Sequence, residues 1–232
     1  IAARVTERTR AVVVTHLFGQ PADMTAIRAL CAERGLMLIE DAAQAFLAEH
    51  RGGLVGTLGD IGCFSLQQGK HITAGEGGFV LAREERVARR MRLFSDKAWG
   101  YGDPSPDHYF LALNYRLTEL QGAVALAQFE QLDAFVAQRE QMAKRLVEGI
   151  LALDGVDGPR PIPGDRHTFW RVPLRVDSSR VPGGADRLGA ALQARGVACA
   201  PRYTRKLAFE CAVLRDAQTF GQSGFPLSGP HL

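Results

Sequence analysis

Four lysines stand against twenty-four arginines in this sequence of 232 residues. One of them, Lys70, lies in a polar loop, Gln67-Gln68-Gly69-Lys70-His71, between the apolar runs Ile61–Ser65 and Phe79–Leu81. Arginine carries the same charge but does not give up its proton, so an amine nucleophile has to be lysine. The acid that matches it is Asp41, which closes the apolar run Leu36-Met37-Leu38-Ile39 as Glu40-Asp41. Two further polar groups flank the pair, Gln44 three residues after Asp41 and Ser65 at the end of the run that precedes the loop.

An amine and a carboxylate on one rim of a parallel sheet meet the requirements of pyridoxal 5'-phosphate (PLP). The lysine forms the Schiff base, and the carboxylate keeps the pyridine nitrogen protonated so that the ring accepts electrons from a substrate carbanion. Once displaced by an incoming amine, the lysine shuttles the proton. Gln44 is placed to flank the ring or its hydroxyl, and Ser65 to bond the phosphate. Each residue also has an ordinary reading: a strand-ending aspartate forms turns or caps helices, and a surface lysine is solvated. Rival phosphate motifs fail. Gly69-Lys70-His71 is not a P-loop, because Phe64 stands where a glycine is required and His71 where Ser or Thr is required. Gly75-Glu76-Gly77-Gly78 leads into a strand, unlike a dinucleotide fingerprint, which counts against a nucleotide-binding α/β domain.

The elements that must position these residues follow from pattern. Ala11–His16 is a β-branched run expected to be a strand buried on both faces. Asp23 caps a helix expected over Met24–Arg34, which Gly35 stops. The run at 36–39 is the next strand, giving a parallel βαβ unit with Asp41 at a carboxyl end and His16 at the neighbouring one. Residues 51–59 read as a loop or hairpin, and 84–94 as an amphipathic helix with Val87, Met91 and Phe94 on its apolar side. Ser95–Leu113 is an irregular loop with Trp99, Tyr101, Tyr109 and Phe110, expected to line the substrate side. Thr118 and Gln121 form a capping box for one long helix, or two joined near Leu132-Asp133. Small residues at its start suit either a partner subunit or core packing. A Gly/Pro/Asp stretch at 154–165 divides a cofactor-binding large domain (1–153) from a smaller α+β domain (154–232). In the latter, 168–176 reads as a strand, 185–195 as a helix and 197–200 as a short strand.

Composition narrows the classes. The chain is 46% hydrophobic and 23% charged, as soluble globular domains are. A net charge of +3 without a dense basic run argues against nucleic acid. The longest apolar run is far short of a membrane span. Cys31, Cys63, Cys199 and Cys211 show no C-x-x-C spacing, so free thiols in a reducing cytoplasm are expected, with no metal site.

Four ordered segments carry a resemblance. Phe64–His71 followed by Gly75-Glu76-Gly77-Gly78 resembles the lysine motif of the DegT/DnrJ/StrS family of PLP-dependent aminotransferases, which act on keto sugars and keto cyclitols. Glu40-Asp41-Ala42-Ala43-Gln44 is similar to its pyridine-nitrogen motif. His16–Pro21 and Leu113–Gln121 are similar to two further segments, and the likeness runs from about Thr9 to about Val147, then more loosely through Phe220–Gly224.

The resemblance implies fold type I, with a mostly parallel sheet and flanking helices. It implies Lys70 as the Schiff-base lysine, Asp41 as partner of the ring nitrogen, Gln44 at the ring and Ser65 at the phosphate. It also implies a homodimer, with Asn114 reaching the neighbouring subunit's phosphate, and glutamine or glutamate as amino donor. Relatives with histidine in place of the lysine are dehydratases, so Lys70 points to transamination. The sequence opens at Ile1 in what reads as the middle of a domain. The family's first strand and Gly/Ser/Thr phosphate turn are expected upstream of it, and the C-terminal domain reads as short. The competing expectation is a truncated, non-catalytic fold remnant that associates through its 120–132 helix. Gln67-Gln68 leans the substrate toward keto-inositols.

Overall fold

The protein is described by a computed structural model covering residues 1–219, 223–225 and 227. Its contacts divide it into two units, residues 1–152 with 158–174, and residues 153–157 with 175–232. Phe220-Gly221-Gln222 and most of the stretch after it lie outside the described residues.

The first unit is built on a four-stranded sheet of order β1-β2-β5-β6, with β1 Ala11–Thr15, β2 Met37–Asp41, β5 Ile61–Ser65 and β6 Gly78–Ala82. The first three strands are parallel and β6 is antiparallel to β5. Helix α1 (Met24–Arg34) makes the crossover between β1 and β2. Asp23 accepts from the Ala26 N–H at 3.3 Å, and Gly35, at φ +60°, ends the helix in a left-handed conformation. Residues 49–54 form a small hairpin of β3 (Glu49–His50) and β4 (Gly53–Leu54).

One face of the sheet packs Val14 and Leu38 against Met24 and Cys31 of α1. The other face lies open. Val13 is 65% exposed and Val80 50% exposed. The expectation that β1 is buried on both faces is therefore corrected: its run is apolar enough for two covering layers, and the described residues supply one.

The loop after β5 is pinned at both ends. Leu66 and Ile72 are buried in a cluster with Phe46, Leu132 and Val136, and Ala74 N–H returns to the Leu66 carbonyl at 2.9 Å. Lys70 rides between these anchors.

Helix α2 (Glu85–Ser95) turns Leu93 inward, while Phe94 is 54% exposed and stacks with Phe110 and Tyr115. Of the side expected to be apolar, Val87 and Met91 are partly buried and Phe94 is exposed, while the adjacent Leu93 is the residue turned inward. The stretch that follows, 96–118, is irregular and is tied by single bridges Asp96–Asn114 and Trp99–His108. Thr118 and Gln121 form the capping box of α3 (Glu119–Phe129), and α4 (Leu132–Leu151) follows as a separate helix. No residue of α3 is buried, and Leu120 is 82% exposed. Core packing of α3 is confined to its inner side, where the partly buried Ala125 packs against the cluster of Phe46, Leu66 and Ile72.

In the second unit β7 (Val156–Asp157) pairs antiparallel with β8 (Arg175–Val176), and α5 (Gly184–Gln193) and α6 (Ala212–Arg215) follow. The strand expected over 168–176 contracts to β8, because 168–170 is bound into the first unit: Thr168 N–H donates to the Gly19 carbonyl at 3.0 Å. Residues 197–200 form no strand, since Val197 N–H closes the end of α5 on the Leu192 carbonyl. The chain leaves the first unit at 153, returns at 158 and leaves again at 175.

Candidate active site

Asp41 and Ser65 are the last residues of β2 and β5. In the parallel register Thr15, Asp41 and Cys63 lie side by side. Side chains alternate along a strand, so Ser65 shares the face of Cys63 and Asp41. That is the open face. The Cys63 thiol is pushed up by burial and then by the Asp41 carboxylate, as expected for side chains on one face. Asp41 is held from two sides, by Ala43 N–H at 3.1 Å and by the Thr15 hydroxyl at 3.4 Å. Ser65 Oγ accepts from Gln67 N–H at 3.2 Å.

The preceding residue, Glu40, faces the other way and is fully buried. Its carboxylate accepts from the N–H groups of Gly56, Leu58 and Gly59 at 2.5–2.7 Å. His16, also fully buried, meets it at 3.0 Å through Nε2. Since His16 Nδ1 accepts from Ala22 N–H, Nε2 is the nitrogen that carries the hydrogen. Burial alone would raise the Glu40 carboxyl, but the bonds from His16 and the backbone outweigh it and hold it below the ordinary value. Adjacent acids therefore divide the labour: Glu40 closes the fold beneath β2, and Asp41 remains available at its rim.

Lys70 projects its Nζ over the Trp170 ring, 4.6 Å from the centroid. Burial lowers its proton affinity below that of an ordinary lysine; Asp41 raises it and Arg171 lowers it again. Trp170 is fixed by donating its indole N–H to the Gly69 carbonyl at 2.6 Å and by stacking on Phe18 with centroids 6.3 Å apart. Phe18 N–H donates to Gln44 Oε1 at 2.9 Å. Gln44 thus reaches Lys70 through the series Phe18, Trp170. Gly19 makes this approach possible. A Cβ there would stand 2.9 Å from the Phe169 nitrogen, and its φ of +93° suits glycine.

His71 turns away from the rim and donates Nε2–H to the Thr168 carbonyl at 3.0 Å. Burial drives it down to about 4. Asn114 stands apart from Asp41, Ser65 and Lys70. It is exposed on the 96–118 stretch, where its Oδ1 accepts from Arg116 N–H and Nε. The structure thus brings Asp41, Ser65, Gln44 and Lys70 to one rim and leaves Asn114 outside it. Trp170, Phe18 and Arg171 were not singled out from sequence. The signal available was an aromatic pair and an arginine, Phe169-Trp170-Arg171, in a stretch read as a plain strand.

The donor set fits PLP. A carboxylate and a hydroxyl lie on one open sheet face at the carboxyl ends of strands, where such sheets take ligands. An amine of lowered proton affinity comes from the loop that follows. Among the described residues no group of His, Cys, Asp and Glu is arranged to hold a metal ion, and no helix is long and apolar enough to cross a membrane.

Comparison with known proteins agrees with this geometry. L-glutamine:2-deoxy-scyllo-inosose aminotransferase of Streptoalloteichus tenebrarius is 39% identical over 181 residues, 74% of this chain and 42% of the relative. GDP-perosamine synthase of Caulobacter vibrioides is 36% identical over 177 residues, 75% of this chain and 47% of the relative. The chain spans about half the length of the curated relatives it matches. Among solved structures, the aminotransferase from Psychrobacter cryohalolentis superposes with a TM-score of 0.82 at 30% identity, over 92% of this chain and 60% of that one. The model of the DegT/DnrJ/EryC1/StrS aminotransferase family matches residues 1–227. The chain belongs to the DegT/DnrJ/EryC1/StrS aminotransferase family.

Proposed function

We propose that the protein is a PLP-dependent aminotransferase that moves an amino group from glutamine or glutamate to a keto sugar or keto cyclitol, in amino-sugar or aminocyclitol biosynthesis. The observation that carries this reading is the shared rim: Asp41 and Ser65 on one open sheet face, with the Lys70 amine delivered by the loop after β5. PLP, when bound, supplies a carbonyl that links to amines and a ring that takes up the electrons of a carbanion.

The chain's own residues have the remaining tasks. Asp41, steadied by Ala43 and Thr15, holds a proton on the pyridine nitrogen. Ser65 presents its hydroxyl to the phosphate. Gln44 keeps the Phe18 turn in place and flanks the ring. Lys70 is the point of attachment, and its lowered proton affinity suits it to take a proton from the donor carbon and return it elsewhere.

The names of the relatives support the substrate class, since they include an aminotransferase of an inosose and a synthase of a nucleotide-linked amino sugar. The reading includes a homodimer in which Asn114 reaches the neighbouring site. The exposed apolar residues of α3, Leu120, Val124, Leu126 and Phe129, support that association. It includes a reducing cytoplasm, supported by four cysteines that are all free.

The test is optical. Protein incubated with PLP is expected to develop an absorbance band of lysine-bound cofactor that Lys70→Ala removes. An unchanged band in the variant would sink the assignment of Lys70. Absence of PLP binding by the wild-type chain would favour a non-catalytic remnant. Parallel assays with a keto-inositol and a nucleotide-linked keto sugar decide the acceptor, and the keto-inositol is the expected one.

A further inference from the structure

Two cations share one indole ring. Lys70 Nζ lies 4.6 Å and Arg171 Cζ 4.9 Å from the Trp170 centroid. A third cation, Arg139 of α4, is depressed first by burial and then by Arg171. Among the described residues, neither arginine has an ion-pair partner, and Lys70 Nζ has none. Several other arginines of the first unit are neutralised by a carboxylate. Arg89 pairs with Asp103, Arg116 with Asp96, and Arg166 with both Glu49 and Glu140. The carboxylate that does act on Lys70 is Asp41, and the proposed chemistry commits it to the cofactor ring.

Unbalanced like charge opposes folding and attracts an anion. The arginine on the indole is well suited to receive one. Its guanidinium is planar, held against a ring that is itself anchored to Gly69, and matches the two oxygens of a carboxylate. Arg139 also borders an open cleft of about 400 Å³, lined in addition by His71, Phe135, Gln138 and Met142, with room for a short side chain.

We propose that Arg171, backed by the field of Arg139, anchors a carboxylate of the amino donor beside Lys70. This rests on the reading of Lys70 as the lysine of an aminotransferase. Within that reading the donor brings a carboxylate to this amine, whereas a keto cyclitol brings no anionic group. A nucleotide-linked keto sugar would bring a diphosphate, and the test separates the two.

Two measurements on the wild type, Arg171→Gln and Arg171→Lys test it. In the first, PLP-loaded protein is given glutamate, and separately butylamine, which lacks a carboxylate. Arg171→Gln is expected to raise the KM for glutamate about 10- to 100-fold, the loss of one charge-assisted pair, with kcat changed far less. Butylamine is expected to react alike in all three proteins, and Arg171→Lys to recover part of the loss. In the second, limiting acetic anhydride labels the lysines, with Lys144 as internal control. Glutarate is expected to protect Lys70 in the wild type and not in Arg171→Gln. An unchanged KM together with equal protection in both proteins overturns the proposal, as does protection by a nucleoside diphosphate where glutarate gives none. Retention of the PLP band in Lys70→Ala would instead overturn the aminotransferase assignment, while glutarate protection still reports the anion site by itself.

Discussion

The indole N–H of Trp170 donates to the carbonyl of Gly69 at 2.6 Å, across 101 positions of sequence. The bond ties the loop that carries Lys70 to the segment that follows the chain's return to the first unit. Trp170 is nearly buried, stacked on Phe18, and lies under the Lys70 amine.

Trp170→Phe keeps a ring and removes this one donor. The Gly69 carbonyl then loses its protein partner, at a cost of about 1 kcal/mol. For a unit of this size that is a fall in Tm of roughly 2–4 °C. Differential scanning calorimetry measures it, and acetylation of Lys70 is expected to quicken as the loop loosens. An unchanged Tm and labelling rate would remove Trp170 from the set of positioning residues.

Glu40 and Asp41 are neighbours with opposite expected phenotypes. Glu40→Gln sets an amide N–H₂ against backbone N–H groups in a fully buried pocket and leaves His16 without its carboxylate. Breaking one side of such a buried arrangement costs about 3–5 kcal/mol. Asp41→Asn, at a partly open rim, is expected to cost under about 1 kcal/mol and to abolish PLP-dependent activity. Urea unfolding of both variants beside a PLP titration checks the contrast. Comparable stability losses would mean that Asp41 is structural as well.

Acid should unfold the protein through two histidines. His71 and His167 are both driven by burial to about 4, below the ordinary value of 6.5. Between pH 6.5 and 4 the unfolded chain binds protons that the folded chain refuses. Stability therefore rises with pH across that window and is lost as pH falls through it. At the acid limit each histidine contributes a loss of about 3 kcal/mol. Urea midpoints measured from pH 7 to 4 should fall steadily, and His71→Gln should flatten the slope. A slope untouched by that substitution would assign the acid sensitivity to other groups.

Much of the first unit was legible because its signals are local. The valine run of β1, the Asp23 cap and the Gly35 stop give β1-α1-β2, and with it the position of Asp41. The capping box at Thr118 and Gln121 likewise reads directly. The remainder depends on what packs against what. Val13 looks like a core residue because strands with two covered faces share its pattern, and here it is exposed. Leu93 and Phe94 are adjacent apolar residues, and only the turn of α2 on its neighbours decides which goes inward. Thr168–Trp170 has strand composition, but its backbone is taken up by Gly19 and its indole by Gly69. No local pattern announces a contact of that separation.

The exposed apolar residues of α3 give the last prediction. Leu120 is 82% exposed and Val124, Leu126 and Phe129 are each half exposed or more, on a helix with a complete N-terminal cap and no buried residue. So much exposed apolar surface is stable in water mainly when something covers it. A second copy of the chain is the occupant that the dimer reading requires, and Asn114 lies a few residues before the same helix. Leu120→Glu changes a residue that supports nothing inside its own chain, so the stability of the isolated subunit should shift by no more than about 0.5 kcal/mol. Placed in an apolar interface, the same carboxylate would be buried without a partner, and the dissociation constant should rise at least tenfold, roughly 1.4 kcal/mol or more. Sedimentation equilibrium on wild type and variant reads both effects when paired with a thermal melt. A wild type that stays monomeric at high concentration would end the dimer reading and, with it, the role assigned to Asn114.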